Sequence, residues 1–293
     1  MSLCPKRTYT LFSGRYDTTC KEKARDIDMT ESNGHALVIV DPQNDFCDPK
    51  GSLFVDGAVD DVRRLAFHLT EGVRDYTDVF VSLDCHDAVA IFHPRFWVDG
   101  ARRHPAPFTK ITPEDVRAGV WRSSSMENAK YASKAMQLLR SRAEKDEAFL
   151  MVWPEHCIVS TWGQMITEPL RRALDVWRNR TARPVRYVFK GENPYTDQFS
   201  IFEGVDESWP DTAFNEPLFE HLASRKSVTF AGEALSHCVE ASISSFVRRR
   251  GSAGQEIKLL SDCSTPVVGF ERSASMERLA ALGVKFVASG AVD

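Results

Sequence analysis

Seven short apolar runs, several rich in β-branched residues, recur along this chain, each followed closely by a polar or turn-forming residue. They are ALVIV (36–40), VFVSL (79–83), FLMVW (149–153), VRYVF (185–189), SVTFA (227–231), EIKLL (256–260) and VKFVA (284–288). Near-continuous apolar runs suit strands covered on both faces, as in parallel sheets. Amphipathic helical patterns at 58–74, 129–143, 163–180, 215–224, 237–250 and 271–282 separate them. Strand alternating with helix implies an α/β fold, a central parallel sheet of about six strands with helices on both faces. The whole chain, 1–293, reads as one domain. A polar, aperiodic N-terminal extension occupies 1–34, and a proline-bearing insertion near the active site occupies 95–128, too long for a routine connection.

Composition narrows the function classes. Hydrophobic residues make up 43% of the chain and charged residues 27%, enough apolar material for a sizeable core. The net charge of -4 gives no pull toward nucleic acid or an anionic membrane, so neither is expected as a partner. No segment approaches the roughly 18 consecutive apolar residues of a bilayer span. The N-terminal residues lack the apolar centre of a secretory signal. Seven cysteines, widely spread and without a CxxC pair, read as reduced thiols and point to the cytoplasm.

In an open α/β sheet, ligands bind beyond the carboxyl ends of the strands. The chemistry-bearing residues fall there. Asp41 ends the first run, Asp84 and His86 the second, and His156 follows the third. Lys190 ends the fourth, and Cys238 follows the fifth through a turn, at the start of a helix. Each alone is ordinary, since an Asp after a strand is often a turn residue or cap. If all the ends open to one face, they form one constellation. Asp84 and His86 are two apart and share a face. With His156 they make one carboxylate and two imidazoles, a set that suits zinc, iron or manganese, zinc first. His93 is a further candidate ligand. A thiol at a helix N-terminus is expected to have a lowered pKa.

At these residues the sequence resembles the nicotinamidase (pyrazinamidase) branch of the isochorismatase-like cysteine hydrolases. Six segments carry the resemblance, in the family's order: VDPQNDF (40–46), DCH (84–86), WPEHC (153–157), FKG (189–191), GEALSHCV (232–239) and SDCS (261–264). It spans roughly residues 36–290. It implies a Rossmann-like three-layer sandwich with Cys238 as nucleophile, Asp41 as general base and Lys190 completing a triad. It places the oxyanion hole at the backbone amides of Ala234 and Cys238, with a cis peptide between Glu233 and Ala234. It assigns Asp84, His86 and His156 to one divalent metal ion, and Phe46, Trp153 and Phe199 to the walls around a flat ring. The implied substrates are nicotinamide and pyrazinamide, in NAD salvage; a homo-oligomer is compatible with it. The insertion and the loop after Lys190 are longer than in compact relatives, which touches substrate range more than chemistry.

Three other readings compete. A cysteine amidohydrolase for another small amide, such as an N-carbamoyl compound, would lack use for the metal set. Isochorismate-type ether hydrolysis does not rely on a cysteine. An inactive binding protein would show a degraded triad, and none of its positions is degraded here.

Overall fold

The computed structural model describes residues 34–70, 76–142, 148–251 and 254–290. The N-terminal extension read at 1–34 therefore lies outside the described residues, apart from Gly34. β1 (His35–Val40) turns through α1 (Asn44–Cys47) into α2 (Ala58–Thr70), and β2 (Tyr76–Asp84) follows. Short pieces come next: β3 (Trp97–Val98), β4 (Lys110–Ile111), α3 (Pro113–Arg117), β5 (Arg122–Ser123), α4 (Ala129–Arg142) and β6 (Leu150–Met151). The regular alternation then resumes with α5 (Glu168–Thr181), β7 (Val185–Lys190), α6 (Glu216–Ala223), β8 (Ser227–Gly232) and α7 (Glu240–Arg250). It closes with β9 (Glu256–Leu260), α8 (Arg272–Ala281) and β10 (Lys285–Val287).

Six strands form the main sheet in the order β10-β9-β8-β1-β2-β7, and every neighbouring pair is parallel. β1 explains why its sequence shows no alternation. Leu37 and Ile39 pack on one side with Leu65, Leu69, Leu174 and Trp177 of α2 and α5. Ala36, Val38 and Val40 pack on the other with Leu222, Ile243, Phe246 and Leu279 of α6, α7 and α8. These five side chains of β1, Ala36 to Val40, are fully buried. Burying a Val, Leu or Ile side chain contributes about 1.5–3 kcal/mol.

FLMVW departs from its expected place. It is not a strand of the parallel sheet; β6 pairs antiparallel with β4, Ile111 opposite Leu150. Leu150, Val152 and Trp153 are buried in the core on the α2 and α5 side, whereas Phe149 and Met151 are half-buried. A short apolar run specifies burial but not its partner, and here the partner is supplied by the insertion. That insertion is ordered by local chemistry: Thr112 and Asp115 form a reciprocal capping box, and the fully buried Trp97 donates its indole N–H to Ile91 O at 2.6 Å. Two helices also start later than their periodicity suggests. α5 begins at Glu168, with a proline in its first turn, and a π-helical turn, Leu235–Val239, precedes α7.

The chain runs from β1 to β2 and β7 on one side, then returns to β8 on the other side of β1. The order reverses between β1 and β8, where an open sheet leaves a crevice at its carboxyl edge. Among the described residues, no helix is long and apolar enough to cross a membrane.

Candidate active site

The carboxyl ends of β8, β1, β2 and β7 bring Cys238, Asp41, Asp84 and Lys190 together. Asp41 leaves β1 with a positive φ of 45°. Ser82, two residues before Asp84 on β2, donates to Asp41 Oδ1 at 2.5 Å and accepts the Asp41 N–H at 3.1 Å. Oδ2 faces Lys190 Nζ at 2.8 Å. Lys190 lies directly opposite Asp84 in the β2–β7 register, and its ammonium pairs with Asp84 Oδ1. The same Nζ is 3.4 Å from Cys238 Sγ. All four residues are buried. The ligating atoms of Asp41, Asp84 and Cys238 lie within 4.8 Å of one another, and the cation among them is the Lys190 ammonium.

Burial pushes the Asp41 carboxyl up, and Lys190 only partly offsets it. Burial likewise lifts the Cys238 thiol well above its ordinary range, against the pull of Lys190. Burial alone would lower Lys190, but Asp41 and Asp84 hold it well above the usual range. The expected lowering of the Cys238 pKa by a helix start is therefore overturned. Cys238 sits buried inside the π-helical turn, and burial is the largest influence on its thiol. Burial thus favours the protonated form of both the Cys238 thiol and the Asp41 carboxyl.

The turn carrying Cys238 is tightly specified. The Glu233–Ala234 peptide is cis. Gly232 has φ +108°, and a Cβ there would meet Val40 O at 2.1 Å. The amides of Gly232, Glu233 and Leu235 donate to Cys263 O, Val40 O and Thr265 O.

Asp84, His86 and His156 form a second cluster, with ligating atoms within 4.8 Å of one another and all three side chains buried. Nδ1 of His86 lies 2.9 Å from Gly191 O, and Nδ1 of His156 lies 2.7 Å from Pro154 O. Those carbonyls place a proton on each Nδ1 and leave each Nε2 as the donor atom, the arrangement usual for histidine ligands. Burial holds His156 down to about 4, helped by the His86 charge. Burial also lowers His86, but the Asp84 carboxylate more than reverses this, drawing positive charge toward Nε2 at 3.4 Å. Burial would raise Asp84, yet Lys190 and His86 keep it below the usual carboxylate range. His93 stands outside this trio. Its Nε2 is 3.4 Å from Nδ1 of His156, and burial, with His156 and His86, holds it down to about 2.

Several supporting residues were not singled out from the sequence. Gln43 brackets Asp84, accepting its N–H at 2.8 Å and donating to its carbonyl at 2.7 Å. Asp45 Oδ2 accepts the Cys157 N–H at 2.7 Å, fixing the loop beside His156. Both sit in VDPQNDF, where polar residues directly after a buried strand were the available signal. Ser82 was legible by the same two-residue alternation that joins Asp84 to His86. Gly191 has φ +73°, and a Cβ there would come within 2.3 Å of His86 Cε1. One cavity takes in Cys238, Asp84, His86 and His156 together with Phe46, Trp153 and Phe199. Phe46 meets the His156 ring edge-on at 5.4 Å. The other described cysteines, Cys47, Cys85, Cys157 and Cys263, are buried free thiols.

No family model matches the chain. It is 27% identical to the nicotinamidase/pyrazinamidase of Mycobacterium tuberculosis over 256 residues, 87% of this chain and 98% of that protein. It is 23% identical to the nicotinamidase of Saccharomyces cerevisiae over 233 residues, 79% of this chain and 88% of that protein. Over those spans the chain is similar to the nicotinamidase branch of the isochorismatase-like hydrolases. The fold agrees with that branch. The solved structure of yeast nicotinamidase Pnc1p superposes with a TM-score of 0.61 at 21% identity, covering 86% of this chain and 99% of the other. PnC1 of L. infantum, solved in complex with nicotinate, superposes with a TM-score of 0.57 at 20% identity, covering 89% and 96%.

Proposed function

We propose that this chain is a nicotinamidase, hydrolysing nicotinamide to nicotinate and ammonia and accepting pyrazinamide by the same route. One observation carries the reading. The Cys238–Asp41–Lys190 cluster and the Asp84–His86–His156 cluster share an ion pair, Lys190 to Asp84, and Cys238 faces the latter cluster in one aromatic-walled cavity.

The donor set fits a divalent cation. Two imidazole Nε2 atoms are freed by carbonyls at Nδ1, and one ammonium serves two buried carboxylates, leaving the site short of positive charge. Asp84, His86 and His156 would hold the ion, with His93 buttressing His156. When bound, zinc, iron or manganese supplies a Lewis-acid contact for a ring nitrogen. Phe46, Trp153 and Phe199 hold the flat ring. Asp41 takes the proton from Cys238, and Lys190 stabilises the thiolate. Sγ attacks the carboxamide carbon while the backbone N–H groups of Ala234 and Cys238 donate to the developing oxyanion. Asp41 passes its proton to the nitrogen, the C–N bond breaks and ammonia leaves, giving a nicotinoyl thioester on Cys238. Asp41 then deprotonates water, which attacks the thioester; the C–S bond breaks and the proton returns to sulfur.

Ammonia release from nicotinamide, with nicotinate identified as product, tests the reading. Benzamide keeps the amide and the shape but lacks the ring nitrogen. Losing one buried polar contact costs about 1–3 kcal/mol, so its kcat/KM should fall roughly 5- to 150-fold. Equal turnover of benzamide would return the chain to the alternative of a cysteine amidohydrolase for another small amide.

A further inference from the structure

Beside the catalytic cavity lies a larger one of about 460 Å³. Trp153, Asp197, Phe199 and His237 line both. None of the four belongs to the triad or the metal set, so the two spaces meet across side chains that take no part in the bond-making chemistry. The far wall of the larger chamber comes from α4. Tyr131, Ala135, Leu138 and Leu139 recur there at helical spacing, face the chamber and are half-buried. α4 buries Ala132 and Met136 on another face, while Ala135 and Leu139 of the stripe pack against the edge of the core and remain half-buried toward the chamber. Both lysines of the chamber are engaged, and the Asp197 carboxyl lies where the chamber adjoins the catalytic cavity. Lys134 Nζ pairs with Asp206 at 2.9 Å, and Lys110 Nζ lies 4.3 Å over the Phe149 ring. Away from Asp197, the wall formed by α4 favours an apolar group over an ion.

We propose that this chamber receives an apolar substituent carried by the substrate ring, so that the chain hydrolyses nicotinamides extended at ring carbon 5 as well as nicotinamide. This rests on the nicotinamidase reading. In that reading the ring is fixed at two points, the carboxamide on carbon 3 at Cys238 and the ring nitrogen at the metal set. Carbon 5 is meta to both and faces away from both anchors. The proposal directs a group there to the side of the catalytic cavity that Trp153, Phe199 and His237 share with the chamber.

The test compares nicotinamide with 5-phenylnicotinamide in the wild type, in Ala135→Trp, which fills the chamber, and in Leu139→Trp, which fills it from the next turn of α4. The wild type should turn over the phenyl amide with kcat/KM at or above that for nicotinamide. Either tryptophan should cut that value at least about tenfold while leaving nicotinamide within about twofold, since only the extended amide reaches α4. Turnover of nicotinamide with the phenyl amide rejected by the wild type would overturn the inference and leave the nicotinamidase reading standing. So would equal losses on both amides in both folded variants. Failure of nicotinamide itself to release ammonia would strike the parent reading. The chamber is judged separately by calorimetric titration of Cys238→Ala with the same amides. Binding of the phenyl amide about tenfold tighter than nicotinamide, weakened by added Ala135→Trp, supports it; equal or weaker binding overturns it.

Discussion

β2 carries a buried carboxylate near each end, and the two are treated oppositely. Asp78, near the amino end, is held by Arg225 Nε at 3.1 Å, His221 Nε2 at 3.0 Å, the Thr77 hydroxyl at 2.8 Å and Arg186 at 3.8 Å. Two guanidiniums thus serve one carboxylate. At the carboxyl end, Asp84 and Asp41 share the Lys190 ammonium beside a thiol. The first arrangement is complete, which suits a structural brace. The second is short of positive charge and faces a cavity, which suits a site that takes up a cation and moves protons.

The largest expected effect lies at Cys238, the proposed nucleophile. Cys238→Ala should lower kcat by at least about 10³-fold without changing the denaturation midpoint by more than a degree or two, because alanine suits a helical turn. Substantial activity in a folded Cys238→Ala protein would remove the nucleophile from the cluster. A matching experiment sets the two ends of β2 against each other. Lys190→Met leaves two buried carboxylates without their cation and should cost about 3–5 kcal/mol in denaturant unfolding of the metal-free protein. Arg225→Met leaves Asp78 with His221, Thr77 and Arg186, and should cost about 1–2 kcal/mol. Equal costs would show that charge balance does not distinguish the two ends.

Cation uptake is the next measure of the same contrast. Dialysis against a strong chelator should lower kcat/KM for nicotinamide at least about tenfold, with recovery on adding zinc, iron(II) or manganese. His86→Ala should reduce the metal bound per chain, measured by elemental analysis, whereas His221→Ala at the other end should not. A protein that is fully active and free of metal would end the comparison at the carboxyl end.

Much of this was legible in the sequence because strand ends are legible. Six of the seven apolar runs entered the sheet, and Asp41, Asp84 and Lys190 lie at the ends of three of them, where register and burial force them together. FLMVW was misplaced because its partner, Ile111, lies in an irregular insertion whose pairing no periodicity announces. The direction of the Cys238 shift was misread for a related reason. A helix start is visible in sequence, but the depth at which β8 delivers it is a property of the packed layers. Gln43 and Asp45 act by holding the backbone of other segments, and a sequence carries little trace of which backbone a side chain will reach. The chamber beside α4 belongs to the same class, since it is made by segments far apart in the chain.

The smallest effect, and the one that isolates the brace, is the acid limit of stability. Burial would raise Asp78, but hydrogen bonds from His221 and Thr77 and the charge of Arg225 bring its pKa down from 3.8 to about 2. A carboxyl whose folded pKa is depressed contributes stability that is fully present above its unfolded pKa, near 4, and is lost as pH falls through the folded value. Stability should therefore decline between about pH 4 and pH 2, with Asp78 responsible for roughly 1–2 kcal/mol of the decline. Asp78→Asn should lose that amount at pH 7 and show a correspondingly flatter acid limb, because asparagine has no proton to take up. The measurement is the urea midpoint from pH 2 to pH 7 for both proteins. Superimposable slopes on the acid side would mean that Asp78 is not the residue that titrates. Activity at neutral pH should change little in Asp78→Asn, since the substitution lies at the opposite end of β2 from Cys238.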